Sequence, residues 1–386
     1  MGAAVSTITI TGPGFVVGFA VAGLGVLVLL VAGVRRAGRS RRRTVRVAAR
    51  AAAGATALVV LLANALVGVN AGLDYLRTVG DVVGTGPAAG VGVAQLLLSR
   101  QVPATGEVAD VPIPGSVSGF AARPAVVWLP PVWFARPRPQ LPVVVLLHGT
   151  PGRPADWVDS GGAADVADAW AAAHHGVAPI LVMPDVNGTY TADSECVDTP
   201  GSRVETYLTR DVPRVVTHLF GTAPPGRAWA VAGLSEGGTC AVVLAARHPA
   251  LFATFGDYAG LLGPRTGDTN GGVADTVAAL FDGSRAAFDA HDPATLLARP
   301  APGLAGWFEA GDADTDPAAA ARRLSAVASG AGTESHLVVV PGGGHDFDLF
   351  SRALTDSWPW LVARVTPAVP EPGPPALSSR CPCRAG

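Results

Sequence analysis

Residues 233–237 read Gly-Leu-Ser-Glu-Gly and match the G-x-S-x-G nucleophile elbow, in which a strand turns sharply into a helix and presents a serine hydroxyl. A short apolar run of buried-strand type precedes them at 228–232, and residues 238–247 are typical of a helix. Small glycines flank the serine because larger side chains would clash in so tight a turn. The pattern and its surroundings predict that Ser235 is a catalytic nucleophile.

A histidine and a carboxylate follow the serine at places where a nucleophile needs them. The strand-like segment 337–340 runs into a glycine-rich loop that contains His345, and this histidine can act as the general base. An earlier strand-like segment at 306–310 is followed by two aspartates, either of which could orient the histidine. We prefer Asp314 as this acid, and Asp312 is the alternative.

A second loop is predicted to stabilise the oxyanion that forms when a serine attacks a carbonyl. The strand-like segment 141–147 ends in His-Gly-Thr-Pro-Gly at 148–152, and such loops commonly supply one backbone N–H to an oxyanion hole. Pro151 has no N–H, so Thr150 is the better donor. The second donor is then the N–H of Glu236, the residue after the nucleophile.

These motifs resemble the esterase-D-like branch of the α/β-hydrolases, which includes enterochelin esterases and the mycolyltransferases of actinobacteria. The resemblance covers about residues 105–365 and rests on the motifs at 129–131, 148–152, 233–238, 247–252, 311–314 and 341–347. It implies a serine nucleophile that acts on esters and passes the acyl group to water or to an alcohol. Glu236 departs from the pattern, because many relatives carry a small or apolar residue at this position.

The first 73 residues have a different composition. No charge occurs before Arg35, and two apolar segments at about 14–34 and 51–71 are each long enough for a transmembrane helix. Residues 35–50 between them carry eight arginines and no acid, which predicts a cytoplasmic loop. We therefore expect two spans in a cell membrane, with the catalytic domain extracytoplasmic. A second segment that lies on the membrane is the alternative, and it would leave that domain in the cytoplasm.

The rest of the chain predicts a single α/β domain. From Val108 onward, strand-like and helix-like segments alternate over roughly 260 residues, which predicts a mostly parallel sheet with helices on both faces, the α/β-hydrolase fold. The predicted parts of the chain are a membrane anchor at 1–73, a connector at 74–104, the α/β-hydrolase catalytic domain at 105–366, and a disordered proline-rich tail at 367–386.

Charge and histidine spacing exclude several functional classes. The whole chain has a net charge of −2, of which residues 35–50 contribute +8, so the remainder is at −10 and nucleic acid is an unsuitable partner. The six histidines outside the two glycine-containing loops show no metal-ligand spacing, and we expect no metal and no cofactor. The sequence leaves the oligomeric state open.

Two cysteines lie near the predicted site. Cys240 follows Ser235 by five residues, and Cys196 lies in an acidic loop after an earlier strand. An extracytoplasmic location permits disulfides, and we expect a Cys196–Cys240 bridge that holds this loop near the active-site entrance. Two ordinary buried thiols are the alternative. Cys381 and Cys383 in the tail are expected to be incidental.

The sequence as a whole predicts a membrane-anchored, extracytoplasmic serine esterase or acyltransferase. In this mechanism His345 deprotonates Ser235, Asp314 orients His345, and the substrate is a small-molecule or lipid ester. A membrane tether favours an envelope or lipid-linked ester, such as an aminoacyl-phospholipid or an acylated glycolipid. The alternatives are a serine peptidase of the same fold and a non-catalytic hydrolase-like binding module of the envelope.

Overall fold

The structure, a computed structural model, describes residues 9–38, 43–73, 92–99 and 101–366. The predicted tail at 367–386 lies outside the described residues, as does most of the predicted connector. Within the connector, a short helix is present at 93–98, and residues 74–91 lie outside the described residues.

The strands fall into one large sheet and one small hairpin. In chain order, the strands of the described residues are β1 Glu107–Val111, β2 Ala125–Leu129, β3 Val143–Leu147, β4 Ile180–Met183, β5 Asp198–Thr199, β6 Ser202–Arg203, β7 Gly226–Leu234, β8 Phe252–Tyr258, β9 Ala305–Gly311 and β10 Glu334–Val340. The large sheet has the order β1-β2-β4-β3-β7-β8-β9-β10, and β5 pairs with β6 alone. Within the large sheet, β2 pairs antiparallel with β1 and with β4, and the other pairs are parallel. The mostly parallel sheet is therefore as predicted.

Helices connect these strands and cover the sheet. In the described residues they are α1 Pro13–Ala37, α2 Arg43–Leu73, α3 Val93–Leu98, α4 Asp156–Asp159, α5 Ala163–Ala173, α6 Val204–Thr206, α7 Val212–Phe220, α8 Glu236–Arg247, α9 Val273–Leu280, α10 Arg285–Asp289, α11 Pro293–Leu297, α12 Thr315–Gly330 and α13 Phe347–Val365. A single π-helical turn, Tyr207–Asp211, joins α6 to α7, and a 3₁₀ turn spans Pro131–Phe134.

Burial shows that both faces of the sheet are covered. Every residue of β2, β3 and β4 is buried, although successive side chains of a strand point to opposite faces. Helix α8 packs on β3, β7 and β8, while α13 packs on β7, β8 and β9 and against α5. Strands that are buried on both faces are continuous apolar runs in the sequence, and such runs predict buried strands.

The strand register brings several loops to one edge of the sheet. Leu147 at the end of β3 is level with Gly233 near the end of β7, and Gly311 at the end of β9 is level with Val340 of β10. Because these strands are parallel, the loops that follow them leave from the same carboxyl edge. The segments that contain Thr150, Ser235, Asp314 and His345 all start there.

The two N-terminal apolar segments form long helices that pack against each other. Both α1 and α2 are long and apolar enough to cross a membrane, and their apolar stretches are not buried within the protein. Helix α2 begins at Arg43, earlier than the expected start at residue 51. Arginine and alanine favour helix, so the helix extends back through part of the segment expected to be a loop.

Candidate active site

Ser235 occupies a strained turn between β7 and α8. Its φ of 55° and ψ of −123° lie in a region that costs a residue with a Cβ of order 1–3 kcal/mol. Its N–H donates to the carbonyl of Tyr258 at 2.9 Å, which holds the turn in place. A Cβ on Gly233 would lie 2.2 Å from the carbonyl oxygen of Gly237, so glycine is required there. The turn lifts the Ser235 side chain above the carboxyl edge of the sheet.

His345 lies between the serine and a carboxylate. Its Nε2 is 2.9 Å from Oγ of Ser235, and its Nδ1 is 2.5 Å from Oδ2 of Asp314. With the proton on Nδ1, the ring donates to Asp314 and accepts the serine hydroxyl proton at Nε2. Asp312, the alternative acid, instead accepts a hydrogen bond from the N–H of Gly342 at 2.6 Å. The structure thus brings together Ser235, His345 and Asp314, whereas Asp312 binds the backbone of the histidine loop.

Two glycine-containing loops cross closely to make this alignment possible. A Cβ on Gly311 would lie 2.0 Å from the carbonyl oxygen of Gly343, so the two backbones touch. The N–H of Ala313 donates to that same carbonyl at 3.1 Å, which ties the aspartate loop to the histidine loop. The ring of Phe350 stands edge-on to His345, with centroids 5.2 Å apart. These contacts fix where the imidazole can lie.

The two expected oxyanion donors lie beside the nucleophile. The loop after β3 is so close that a Cβ on Gly149 would lie 3.0 Å from Cβ of Ser235. Glu236 is the first residue of α8, where backbone N–H groups have no acceptor within the helix. Among the described residues, neither the N–H of Thr150 nor that of Glu236 donates a hydrogen bond. Both amides are therefore available to a substrate oxygen.

The side chain of Glu236 has a role that the sequence did not predict. It is 6% exposed and accepts hydrogen bonds from the hydroxyl of Thr150, from Nδ2 of Asn187 at 2.7 Å, and from the N–H of Glu195 at 2.9 Å. The N–H of Ser194 also donates to it, at 3.2 Å. One carboxylate therefore ties both oxyanion loops to the loop that carries Cys196. In the sequence, this role was indicated by a glutamate at position 236, where many relatives carry a small or apolar residue.

Three carboxyl groups lie together on this side of the nucleophile. Burial raises the pKa of Glu236, although hydrogen bonds from Thr150 and Asn187 oppose that shift. Burial, and then the charge of Glu236, raise the pKa of Asp193 to about 7. The same two causes, together with the charge of Asp193, hold the pKa of Glu195 well above its usual range, while Arg265 opposes them. This side of the site is acidic and incompletely ionised at neutral pH.

Cys196 and Cys240 form a disulfide in the structure, with their Cα atoms 5.6 Å apart. The bond joins the loop after β4 to α8, the helix that begins directly after the nucleophile. The two sulfurs also lie within 4.8 Å of a carboxylate oxygen of Glu236, but sulfurs paired in a disulfide cannot serve as thiolate metal ligands.

The other histidines lie away from this chemistry or support it indirectly. His148 is fully buried, and its Nε2 lies 3.2 Å both from Oδ1 of Asp185 and from the backbone nitrogen of Val186. Burial alone would raise the pKa of Asp185, but hydrogen bonds from His148 and Arg123 outweigh it and lower the pKa. This group braces the loop after β3. His248 and His291 bind the buried carboxylate of Glu205, which is not a member of the triad.

Two cavities of different character meet at Ser235 and His345. The larger has a volume of about 570 Å³ and is lined mainly by apolar side chains, including Leu234, Phe347 and Phe350. The smaller has a volume of about 240 Å³ and is lined by four carboxyl side chains beside the triad acid, those of Asp193, Glu195, Glu236 and Asp268. The sequence did not predict either cavity. The acids of residues 193–198 were noted there only as neighbours of Cys196.

Known proteins resemble this chain in sequence. A family model described as "Putative esterase" matches residues 121–361, more than half of the chain. An uncharacterized protein of Corynebacterium glutamicum is 36% identical over 270 residues, covering 67% of this chain and 62% of that protein. The MPT51/MPB51 antigen of Mycobacterium tuberculosis is 29% identical over 152 residues, covering 36% of this chain and 50% of the antigen. The chain thus spans less than two thirds of these curated relatives.

Solved structures confirm the predicted α/β-hydrolase fold. A ferulic acid esterase superposes with a TM-score of 0.57 at 21% identity, covering 67% of this chain and 98% of that chain. An S-formylglutathione hydrolase from Agrobacterium tumefaciens superposes with a TM-score of 0.54 at 19% identity, covering 70% of this chain and 99% of that chain. At these identities the likeness concerns the fold alone.

We expect Glu236→Ala to lower kcat on a short soluble ester by about ten- to a hundredfold, with a smaller change in KM, because the oxyanion loops lose their shared acceptor. Glu236→Gln should fall between this variant and the native protein, since the amide keeps one acceptor oxygen. Steady-state kinetics measures the split between kcat and KM, and Glu107→Ala on the remote edge strand is the control. A native kcat in a folded Glu236→Ala protein contradicts the role assigned to this side chain.

Proposed function

Since the chain belongs to the putative esterase family, we propose that it is a carboxylic ester hydrolase and that Ser235, His345 and Asp314 are its catalytic triad. The hydrogen-bonded chain that runs from Oγ of Ser235 through the imidazole to Oδ2 of Asp314 supports this assignment most directly. All three residues leave from the carboxyl edge of one parallel sheet. This is the edge at which open α/β sheets bind their ligands.

The proposed reaction begins when Nε2 of His345 takes the proton of Ser235 as Oγ attacks the ester carbonyl. The imidazolium that forms is stabilised by Asp314, and the N–H groups of Thr150 and Glu236 bind the developing oxyanion. The ester bond then breaks, and His345 gives its proton to the departing alcohol. Water or an acceptor hydroxyl next attacks the acyl-enzyme, loses its proton to His345 and releases Ser235.

Hydrolysis and acyl transfer share every step up to the acyl-enzyme. They differ only in which hydroxyl reaches the acyl carbonyl, so the triad serves both. The family membership supports hydrolysis, and we propose transfer to an alcohol as the second activity of the same site.

We further propose that the catalytic domain is held outside the cytoplasm by α1 and α2. Both helices have the length and hydropathy of membrane spans, and many of their large apolar side chains are exposed. The eight arginines at 35–50 lie between the two apolar stretches, and arginine in short loops favours the cytoplasmic side. Two spans then place everything after α2 on the outer side.

The two cavities differ in polarity, and this supports an ester with an apolar alcohol and a charged acyl group, such as an aminoacyl-phospholipid. The large apolar cavity suits the lipid alcohol, and the small acidic chamber suits a short acyl group that carries an ammonium. Glu195 is 4% exposed, and its Oε2 accepts no hydrogen bond within the part of the chain that the structure describes. A buried acceptor without a partner is costly, and a cationic ligand would satisfy it. Oδ1 of Asp193 is likewise buried without a donor among the described residues while both carboxyls are ionised, whereas a proton on Glu195 lets that side chain donate to Asp193.

Ser235→Ala should abolish ester turnover and labelling by a fluorophosphonate, while leaving the melting temperature close to that of the native protein. We expect Asp314→Asn to lower kcat by about a thousandfold or more, because the histidine loses the partner that fixes its tautomer. Asp312→Asn is the matched control and should cost less than about tenfold, since its carboxylate binds only a loop N–H. Equal losses in the two aspartate variants would remove the assignment of the acid to Asp314.

An alanine ester and the propionate ester of the same alcohol differ only in an ammonium, and they test the acidic chamber. We expect the native protein to prefer the alanine ester, and Asp193→Asn together with Glu195→Gln to abolish this preference. Because the pKa of Asp193 is about 7, the preference should rise as pH increases through that value. It should fall again above about pH 8, where the amino group loses its proton. Equal kcat/KM for the two esters in the native protein argues against an aminoacyl substrate.

The proposed location is tested by the state of Cys196 and Cys240 in cells. If the domain lies outside the cytoplasm, both should resist alkylation until a reductant is added, because structural disulfides persist in oxidising compartments. Peptide mapping of membrane-extracted protein without reduction should recover the two cysteines in one linked pair. Rapid alkylation of both thiols in folded protein from intact cells would place the domain in the cytoplasm.

A further inference from the structure

One wall of the large cavity comes from the second N-terminal helix. The side chains of Leu66, Val67, Val69 and Asn70 on α2 line the cavity that also contains Ser235 and His345. The rest of the rim includes Pro151 and Tyr190, and two aromatic rings at the start of α13, Phe347 and Phe350. A segment expected to act only as an anchor therefore forms part of the catalytic cavity.

The side chains of α2 that line the cavity are exposed, so a ligand could still cover them. Leu66 is 70% exposed and Val69 is 61% exposed, although both face the cavity. The two aromatic rings of the rim, Phe347 and Phe350, are by contrast buried and contact each other edge-on, with ring centroids 5.6 Å apart. We call the space between the exposed side chains of α2 and the buried aromatic rings the slot. Its apolar lining suits a hydrocarbon chain, which needs apolar contact along its length and no hydrogen bonds.

The position of the wall along α2 sets its depth in a bilayer. The helix ends at Leu73, and at a rise of 1.5 Å per residue the lining residues lie about 5–10 Å from that end. If α2 spans the membrane towards the outside, this is the boundary between headgroups and acyl chains, where interfacial apolar surfaces lie. Ser235 would then meet an ester at the headgroup and not one at the bilayer centre.

We infer that the slot between α2 and the rim at Phe347 and Phe350 holds the hydrocarbon chains of a membrane lipid ester, which enters sideways from the outer leaflet. This inference rests on the proposed function, because it places that substrate in the site. The acyl group passes from the lipid oxygen to Oγ of Ser235, and the lipid alcohol receives its proton from His345. The lipid alcohol stays in the slot and diffuses back into the leaflet, while the acyl group occupies the acidic chamber.

Two fluorophosphonates that differ only in chain length test the slot without knowledge of the natural lipid. The full-length protein in phospholipid vesicles is treated with an ethyl or a hexadecyl probe, and the rate at which each labels Ser235 is measured. We expect Leu66→Trp and Val69→Trp to lower the ratio of hexadecyl to ethyl labelling rates by about tenfold, because the indole fills the slot.

Leu61→Trp supplies the matched control on the same helix. Leu61 is 57% exposed and lies five residues before Leu66, about 140° away around the helix axis, so the new indole points away from the slot. This variant should keep the native ratio of labelling rates. The ethyl probe reports in each variant whether the catalytic site is intact.

The outcomes separate the inference from the proposed function. If the ratio is unchanged in Leu66→Trp and Val69→Trp while the ethyl probe still labels Ser235, the slot is refuted and the triad stands. An equal fall of the ratio in Leu61→Trp would also refute it, because the effect would then not depend on the cavity wall. If neither probe labels Ser235 in the native protein, the proposed function fails, and the lipid slot fails with it.

Discussion

The strained backbone at Ser235 is the constraint on which the site depends. A left-handed residue between a strand and a helix is tolerated only when its surroundings leave no alternative. Here β7 is held between β3 and β8, and the carbonyl of Tyr258 accepts a hydrogen bond from the serine N–H. Gly233 and Gly237 permit the close approach of the neighbouring backbones. The strained turn places the serine hydroxyl above the sheet edge and the N–H of Glu236 directly after it. An acyl-transfer site requires both a nucleophile and such a hydrogen-bond donor.

The parallel sheet then brings the partners of this hydroxyl together. Loops after β3, β9 and β10 leave the same edge, and close backbone contacts fix their relative positions. The backbones of Gly311 and Gly343 touch, and this contact links the aspartate loop to the histidine loop. The side chain of Glu236 accepts a hydrogen bond from the hydroxyl of Thr150, and this bond links the two oxyanion loops. The nucleophile, the base and the proposed oxyanion donors are thus positioned by shared contacts. Rigidity of this kind lets hydrogen-bond donors stabilise a transition state without rearranging.

Much of this arrangement could be predicted from local pattern. The buried strands are continuous apolar runs, and the elbow, the His-Gly loop and the final glycine loop have short signatures that do not depend on distant residues. These features led to Ser235, His345, Thr150 and the mostly parallel sheet. The hydropathy and arginine pattern of the first 73 residues is equally local, and it remains the basis of the proposed membrane anchor.

What the sequence by itself determined was the set of reactive residues and their order on the strands. Only the tertiary structure decided which of two nearby aspartates meets the histidine, because Asp312 and Asp314 differ by the geometry of one turn. It also gave the Glu236 side chain its partners and placed Leu66 in the wall of the cavity that contains the serine, two arrangements that join segments far apart in the chain. Local pattern carries no information on such contacts, since they arise from packing of whole elements against one another.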